Sequence, residues 1–137
     1  MARGVELSEM HPIFETAFNN HDLDGVMALY GPDSTMVQVD GGTIRGTEAI
    51  RRSLEVLFGV PGRMALRTRY VIEAGDLALL SCEWSLTAGD EVRSAVSTEV
   101  AQRQPEGGWL YLLDHPYGGS DPAEAGNLAE AGASPPS

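Results

Sequence analysis

The sequence has no lysine and only one cysteine. It has nine arginines and 20 acidic residues, which gives a formal net charge of −11. Nucleic-acid backbones and anionic membranes both bind basic patches, so we expect neither as a partner. Cys82 has no second cysteine for an internal disulfide, and no Cys/His spacing is typical of zinc, so we expect no metal and a reducing compartment.

Long apolar runs are also missing. No stretch approaches the roughly 18 consecutive apolar residues of a membrane span, and residues 1–10 have no apolar run typical of a signal peptide. We therefore expect a cytoplasmic protein. The chain of 137 residues is 42% hydrophobic and 21% charged, which is typical of one globular domain.

A change of composition marks the end of the predicted domain. We expect a folded domain over 1–117 and a disordered acidic, Pro/Gly/Ala-rich tail over 118–137. Leu128 is the only large apolar residue of that tail. Such a segment cannot bury enough surface to offset the entropy lost on ordering.

The first half of the chain has helical periodicity. An apolar stripe over residues 10–18 predicts a helix that begins near His11, because Pro12 is tolerated only in the first turn. Asp22 is predicted to cap a second helix that extends to Tyr30. Residues 35–39 and 43–45 are predicted to form a short hairpin, and a third helix follows Gly46.

The second half alternates with period two, which indicates strands. The predicted strands are 64–74, 77–88, 92–104 and 108–116, joined by hairpin-length connections. The predicted fold class is therefore α+β, with a curved antiparallel sheet wrapped around three N-terminal helices. We expect a conical barrel with an internal cavity, the usual setting of a small-molecule site.

Three segments, 14–30, 44–50 and 101–117, resemble the nuclear transport factor 2 (NTF2)-like superfamily, which includes SnoaL-like proteins and ketosteroid isomerase. The last segment is similar to small bacterial members associated with polyketide and enediyne biosynthesis. The resemblance implies a pocket for a hydrophobic small molecule and a homodimer formed through the outer face of the sheet.

The residues that carry ketosteroid isomerisation are mostly replaced. That mechanism uses an aspartate base and an oxyanion hole made of a tyrosine and a protonated aspartic acid. By resemblance the tyrosine position falls on Phe14, the base position on Gln38 and the protonated acid at or beside Glu99. Neither Phe14 nor Gln38 can perform its role, so steroid isomerisation by that route is not expected.

His115 and Glu99 are the candidate catalytic residues. Histidine exchanges protons near neutral pH, and a carboxyl group in an apolar cone has a raised pKa. The structural alternatives are a histidine bonded to backbone at a strand end and a glutamate on the outer face. The resemblance suggests that Trp109, Tyr111, Leu113 and His115 point inward and Asp114 outward; a one-residue slip would exchange the two sets.

The candidate ligand-binding residues are aromatic, apart from one amide. They are Phe14, Phe18, Tyr30, Gln38, Phe58, Trp84, Trp109, Tyr111 and Tyr117. No cofactor motif is present, so we expect cofactor-free acid–base chemistry on a hydrophobic, polyketide-like molecule. The alternatives are a non-catalytic protein that binds an apolar ligand and a dimerisation module with a degenerate site.

Overall fold

The computed structural model describes residues 4–120. A 3-10 turn at Leu7–Glu9 leads into helix α1, Met10–Asn19, followed by α2, Leu23–Met27, and α3, Thr47–Phe58. The predicted start of α1 near His11 is confirmed. The predicted cap is also confirmed, because Asp22 Oδ1 accepts a hydrogen bond from the Gly25 amide at 2.9 Å.

The second helix is shorter than predicted. It ends at Met27, and Tyr30 begins strand β1, Tyr30–Val37. The prediction that Tyr30 lies on the helix is therefore wrong. Pairing with the last strand decides this segment: Tyr30 lies beside Tyr111, whose amide donates to the Leu29 carbonyl at 2.8 Å.

Seven strands form one curved, unclosed sheet. The bounds of the remaining strands are β2 Thr43–Arg45, β3 Arg63–Ala74, β4 Leu77–Ala88, β5 Glu91–Val96, β6 Thr98–Arg103 and β7 Trp109–His115. Their order is β2-β1-β7-β6-β4-β3, and β5 pairs with the other end of β4. The sheet is mixed rather than wholly antiparallel, because β1 and β7 are parallel.

The strand predicted over 92–104 is interrupted. Ser97 separates β5 from β6, so β4 pairs with β6 through residues 77–80 and with β5 through residues 83–88. The Ser97 hydroxyl lies against the Cys82 backbone amide and the Ser97 amide donates to the Cys82 carbonyl. These contacts hold the break against the centre of β4.

A bulge in β7 changes which side chains face the helices. Val100 pairs with Leu113 and Ala101 with Tyr111, which leaves Leu112 without a partner in β6. Tyr111 and Asp114 are consequently both buried, whereas Leu113 is exposed. The prediction that Asp114 shares the outward face with Leu110 and Leu112 is therefore wrong.

The helices pack on the inner face of the sheet. The largest fully buried side chains include Phe18, Met10, Leu29 and Ile50, which come from the helical half and its connections. No helix among residues 4–120 has the length and apolarity required to cross a bilayer. Residues 121–137 of the predicted disordered tail lie outside the described residues. The first three residues of that tail are described, and their backbone amides donate in turn to the carbonyls of His115, Val96 and Tyr117.

Candidate functional site

A cluster of polar side chains lies between α1 and the inner face of the sheet. His11 comes from the first turn of α1, Tyr30 from β1, Glu99 from β6 and Asp114 from β7, and none is more than 7% exposed. Glu99 and Asp114 are partners across the β6–β7 pair. The site thus holds two carboxyl groups side by side in an interior from which water is largely excluded.

His11 bridges the cluster and the edge strand β3. Its Nε2 lies 2.6 Å from Glu99 Oε1, and its Nδ1 lies 2.7 Å from the hydroxyl of Thr68. Both distances are those of strong hydrogen bonds. Because the imidazole is bonded at both nitrogens, its ring orientation is fixed between the buried carboxyl and Thr68, which is exposed.

Asp114 is held by Tyr30. The Tyr30 hydroxyl donates to Asp114 Oδ2 at 2.6 Å. Burial and the neighbouring charge of Glu99 raise the pKa of Asp114 to about 7, even though this hydrogen bond and His11 act in the opposite direction. Asp114 is therefore a carboxyl group that exchanges its proton near neutral pH.

The phenol and thiol groups in and beside the cluster stay protonated. Burial, and then the charges of Glu99 and Asp114, raise the pKa values of the Tyr30 and Tyr111 hydroxyls well above their ordinary value. Burial likewise raises the pKa of the Cys82 thiol to about 12. These groups can donate hydrogen bonds at neutral pH but do not act as anions.

His115 lies on the other side of the sheet from this cluster. It pairs with Thr98, is half-buried and accepts a hydrogen bond from the Tyr117 amide at its Nδ1. Burial lowers the pKa of its imidazole, so the side chain is neutral at neutral pH. The structure therefore does not bring together the two predicted catalytic residues, Glu99 and His115.

Aromatic side chains fill the region beside the cluster. Phe58 makes edge-to-face contacts with Phe18, at 5.2 Å between ring centroids, and with Phe14, at 6.4 Å. Trp84 contacts the Tyr117 ring at 6.1 Å and donates from Nε1 to the Pro116 carbonyl. Phe14, Phe18, Phe58 and Trp84 therefore belong to one apolar cluster, and Tyr117 is joined to it through Trp84.

The remaining predicted ligand-binding residues lie at different places. Tyr30 belongs to the polar cluster, and the Tyr111 ring contacts the Tyr30 ring with 5.5 Å between the ring centroids. Gln38 is half-buried near the end of β1 and accepts a hydrogen bond from Ser53 at 3.3 Å. Trp109 is buried under the Arg103 guanidinium, 4.6 Å from the ring centroid, at the other end of β7.

Two open grooves of about 360 Å³ each lie on the surface. One follows α1 and the α1–α2 connection, from Ser8 to Gly25. The other separates the N-terminal turn, at Leu7 and Ser8, from Val71 on β3 and Trp109 on β7. Neither is lined by Glu99 or Asp114, so in this conformation the carboxyl pair does not lie on either groove.

One group of side chains has donor atoms suited to a metal. The ligand atoms of His11, Cys82 and Glu99 all lie within 4.8 Å of one another. Each already has a hydrogen-bond partner, because His11 and Glu99 bind each other and the Cys82 sulfur contacts the Ser97 hydroxyl at 3.3 Å. The absence of a metal stays a prediction from the sequence.

Comparison with known families places this geometry in context. Residues 13–107 match the model of the SnoaL-like domain. The chain belongs to the SnoaL-like family. Comparison with curated proteins returns no match.

Solved structures share the fold of this SnoaL-like protein at low sequence identity. A proposed calcium/calmodulin-dependent protein kinase type II association domain from Thiobacillus denitrificans is 22% identical, with a TM-score of 0.72 over 84% of this chain and 96% of that one. A proposed NTF2-like dehydratase from Streptomyces avermitilis is 20% identical (TM-score 0.65, 80% and 90%). A ketosteroid isomerase-like protein from Erwinia carotovora atroseptica is 19% identical (TM-score 0.63, 80% and 90%).

Three polar residues of the candidate site were missed by sequence reasoning: His11, Thr68 and Asp114. A signal for His11 was available, since it lies three residues before Phe14 and seven before Phe18, on the apolar stripe of α1. Asp114 was assigned to the wrong face because the bulge at Leu112 cannot be recognised from period-two alternation. Nothing in the sequence distinguishes Thr68 from the other strand threonines.

Proposed function

We propose that this protein binds a hydrophobic, polyketide-like small molecule and moves a proton on it without a cofactor. The observation that carries the proposal is the buried carboxyl pair, Glu99 and Asp114, in which Asp114 titrates near neutral pH. A buried group with this pKa is suited to general acid–base catalysis at neutral pH.

The two carboxyl groups have different partners and therefore different roles. Asp114 in its protonated form is the acid, and the Tyr30 hydroxyl, which donates to Asp114 Oδ2, holds that carboxyl group in place. Glu99, oriented by His11, accepts the proton. The acid and the base thus come from adjacent strands, and Glu99 acts as the base although the resemblance places the protonated acid of ketosteroid isomerase at or beside it.

The walls of the site support an apolar substrate. Phe14 and Phe58 pack against the buried cluster that includes Tyr30 and Tyr111, and with Trp84 they also pack against Phe18. Two structures of similar fold carry the names of a proposed dehydratase and a ketosteroid isomerase-like protein, and both reactions begin with proton transfer next to a carbonyl or hydroxyl group. A cytoplasmic location is part of this proposal.

The experiment is turnover of a panel of polyketide-like ketones and β-hydroxy ketones, followed by NMR. Glu99→Gln and Asp114→Asn are each expected to lower turnover about 100-fold or more, with Asp90→Asn, an exposed turn residue, as the matched control. His115→Ala tests the sequence prediction for His115 separately. Unchanged turnover in both carboxyl variants would contradict the proposal.

A non-catalytic role is the second candidate, and the packing of aromatic residues favours it. Phe14, Phe18 and Phe58 already contact one another where a ligand would lie. A protein that only sequesters an apolar ligand, or only dimerises, needs no open route to Glu99. Tight binding of the panel with no conversion by the wild-type protein would select this alternative.

We also propose a homodimer formed through the outer face of the sheet. Ile72, Leu79, Val100 and Leu113 are successive partners across β3, β4, β6 and β7 and form one apolar row. Three of them are exposed, Ile72 at 55%, Leu113 at 39% and Leu79 at 37%. A second copy of the chain would cover this row with an identical one.

A further inference from the structure

The Thr68–His11–Glu99 chain has a feature that the proposed proton transfer does not use. Its members differ sharply in accessibility: Glu99 and His11 are each 3% exposed, whereas Thr68 is exposed on the edge strand β3. The chain of two short hydrogen bonds therefore connects a buried carboxyl group to the hydroxyl group of a threonine that is exposed on the edge strand.

With an ionised carboxyl group at Glu99, this order of groups favours one arrangement of the protons. A threonine hydroxyl that donates to His11 Nδ1 requires the neutral imidazole to carry its proton on Nε2, which then donates to Glu99. The carboxyl group thus selects the tautomer in which Nδ1 is a free base directed at a hydroxyl. A hydroxyl, an imidazole base and an orienting carboxyl group in this order form the arrangement that activates hydroxyl nucleophiles.

Other potential nucleophiles near His11 are excluded by their surroundings. Cys82 is 2% exposed, and burial keeps its thiol protonated because it raises the thiol pKa to about 12. The Ser81 and Ser97 hydroxyls are buried and bonded within the sheet. Thr68 combines a hydrogen bond to the base with access from solvent.

A surface groove begins three residues further along β3 than the threonine. Val71 is the next residue of β3 after Thr68 that faces inward, because the register shifts between Thr68 and Tyr70, and it lines the groove of about 360 Å³. Ser8, one turn before His11, lines the opposite side together with Leu7. Thr68 and Val71 share one face of β3, so an acyl chain lying between Leu7 and Val71 would have to carry its carbonyl group past the end of the groove to meet the Thr68 hydroxyl.

We propose that Thr68 is a nucleophile for acyl transfer from small esters or thioesters, with His11 as its base and Glu99 as the positioning residue. Thr68 Oγ1 attacks the acyl carbon while its proton passes to His11 Nδ1. His11 returns that proton to the departing alcohol or thiol, which leaves an acyl ester on Thr68. Water activated by His11 then attacks this ester, releases the carboxylic acid and restores the hydroxyl group.

The absence of lysine makes an acyl adduct simpler to assign, because no side-chain amine competes for the acyl group. The protein is incubated with p-nitrophenyl acetate and p-nitrophenyl butyrate, and the adduct is located by intact-mass and tandem mass spectrometry. We expect one acyl group on Thr68 and release of p-nitrophenol above the rate of buffer alone. Thr68→Ser is expected to retain both signals, and Thr68→Val to lose the adduct and at least 90% of the catalysed release.

Thr87→Val is the matched control, since Thr87 is an exposed strand threonine that pairs with Arg63 and Val92 instead of contacting His11. It is expected to acylate like the wild type. An unacylated wild-type protein, or an undiminished adduct in a Thr68→Val variant with native circular dichroism, would overturn the proposal. Thr68→Val leaves Glu99 and Asp114 intact, so this variant also distinguishes acyl transfer from the proposed function. We expect it to keep proton transfer on the ketone panel, which only the Glu99 and Asp114 variants are expected to lose.

Discussion

Asp114 and Glu99 are neighbours, yet the fold surrounds them with different partners. Glu99 contacts an imidazole, which can share its charge, whereas Asp114 contacts only the neutral hydroxyl of Tyr30 by hydrogen bond. Burying one negative charge beside one imidazole costs little free energy, but burying a second negative charge without a partner of its own costs much more. The proton held by Asp114 near neutral pH is therefore a consequence of this unequal pairing.

This proton predicts a pH-dependent stability. The pKa of Asp114 rises from an ordinary value of 3.8 to about 7 in the folded protein, so the folded state binds more protons than the unfolded state between these two values. The contribution of the Asp114 proton to the free energy of unfolding is fully present below about pH 4 and is lost as the pH rises to about 7. A shift of this size corresponds to at most about 4 kcal/mol.

Asp114→Asn removes the titration and keeps an oxygen that accepts from Tyr30. We expect the variant to be more stable than the wild type at pH 8, with the advantage disappearing toward pH 4. Urea unfolding across this range measures the difference, and Asp90→Asn in the exposed β4–β5 turn serves as the control. Equal pH dependence in Asp114→Asn and wild type would show that Asp114 is not the titrating group.

Among the helices, α2 is the most dependent on its cap. It has only five residues, and Asp22 accepts from the amide of Gly25 at its first turn. We expect Asp22→Ala to lower the free energy of unfolding by about 1 kcal/mol. Asp22→Asn is expected to keep most of this stability, because the asparagine side-chain oxygen can also accept from the Gly25 amide. Urea unfolding at pH 7 is the measurement, and two equally destabilised variants would indicate that charge, rather than the cap hydrogen bond, is what matters.

The elements recovered from the sequence are those whose signals are local. Helices α1 and α3 follow from apolar periodicity and Pro12, and the β3–β4 hairpin follows from alternation around Gly75 and Asp76. The extended segment from Tyr30, the break at Ser97 and the bulge at Leu112 were missed. Each arises from pairing with a strand distant in the sequence, which local patterns do not encode.

The same distinction explains what was found of the site. Glu99 was identified through the family resemblance, which places the protonated acid of ketosteroid isomerase at or beside it, and its orientation was left open. Its partner His11 lies 88 residues away in the sequence, and Asp114 reaches the inside only because the bulge shifts the last part of β7. A site assembled across α1, β1, β6 and β7 is a property of topology more than of any motif.

At the scale of the whole molecule, charge and apolar surface act against each other. A net charge of −11 repels a second copy of the chain, whereas the outer row of the sheet exposes apolar side chains that a second copy would bury. Salt screens the repulsion and leaves the apolar contact almost unchanged. We therefore expect dimerisation to strengthen between low and physiological ionic strength.

Leu79→Glu tests this balance, because it places a charge in the middle of the row, between Ile72 and Val100. We expect light scattering at micromolar concentration to find a dimer for the wild type and a monomer for this variant. Val56→Glu is the matched control, since Val56 is 76% exposed on α3, away from the sheet's outer face, and adds the same charge. A monomeric wild type at physiological salt, or an equal loss of dimer in both variants, would show that the apolar row does not hold the copies together.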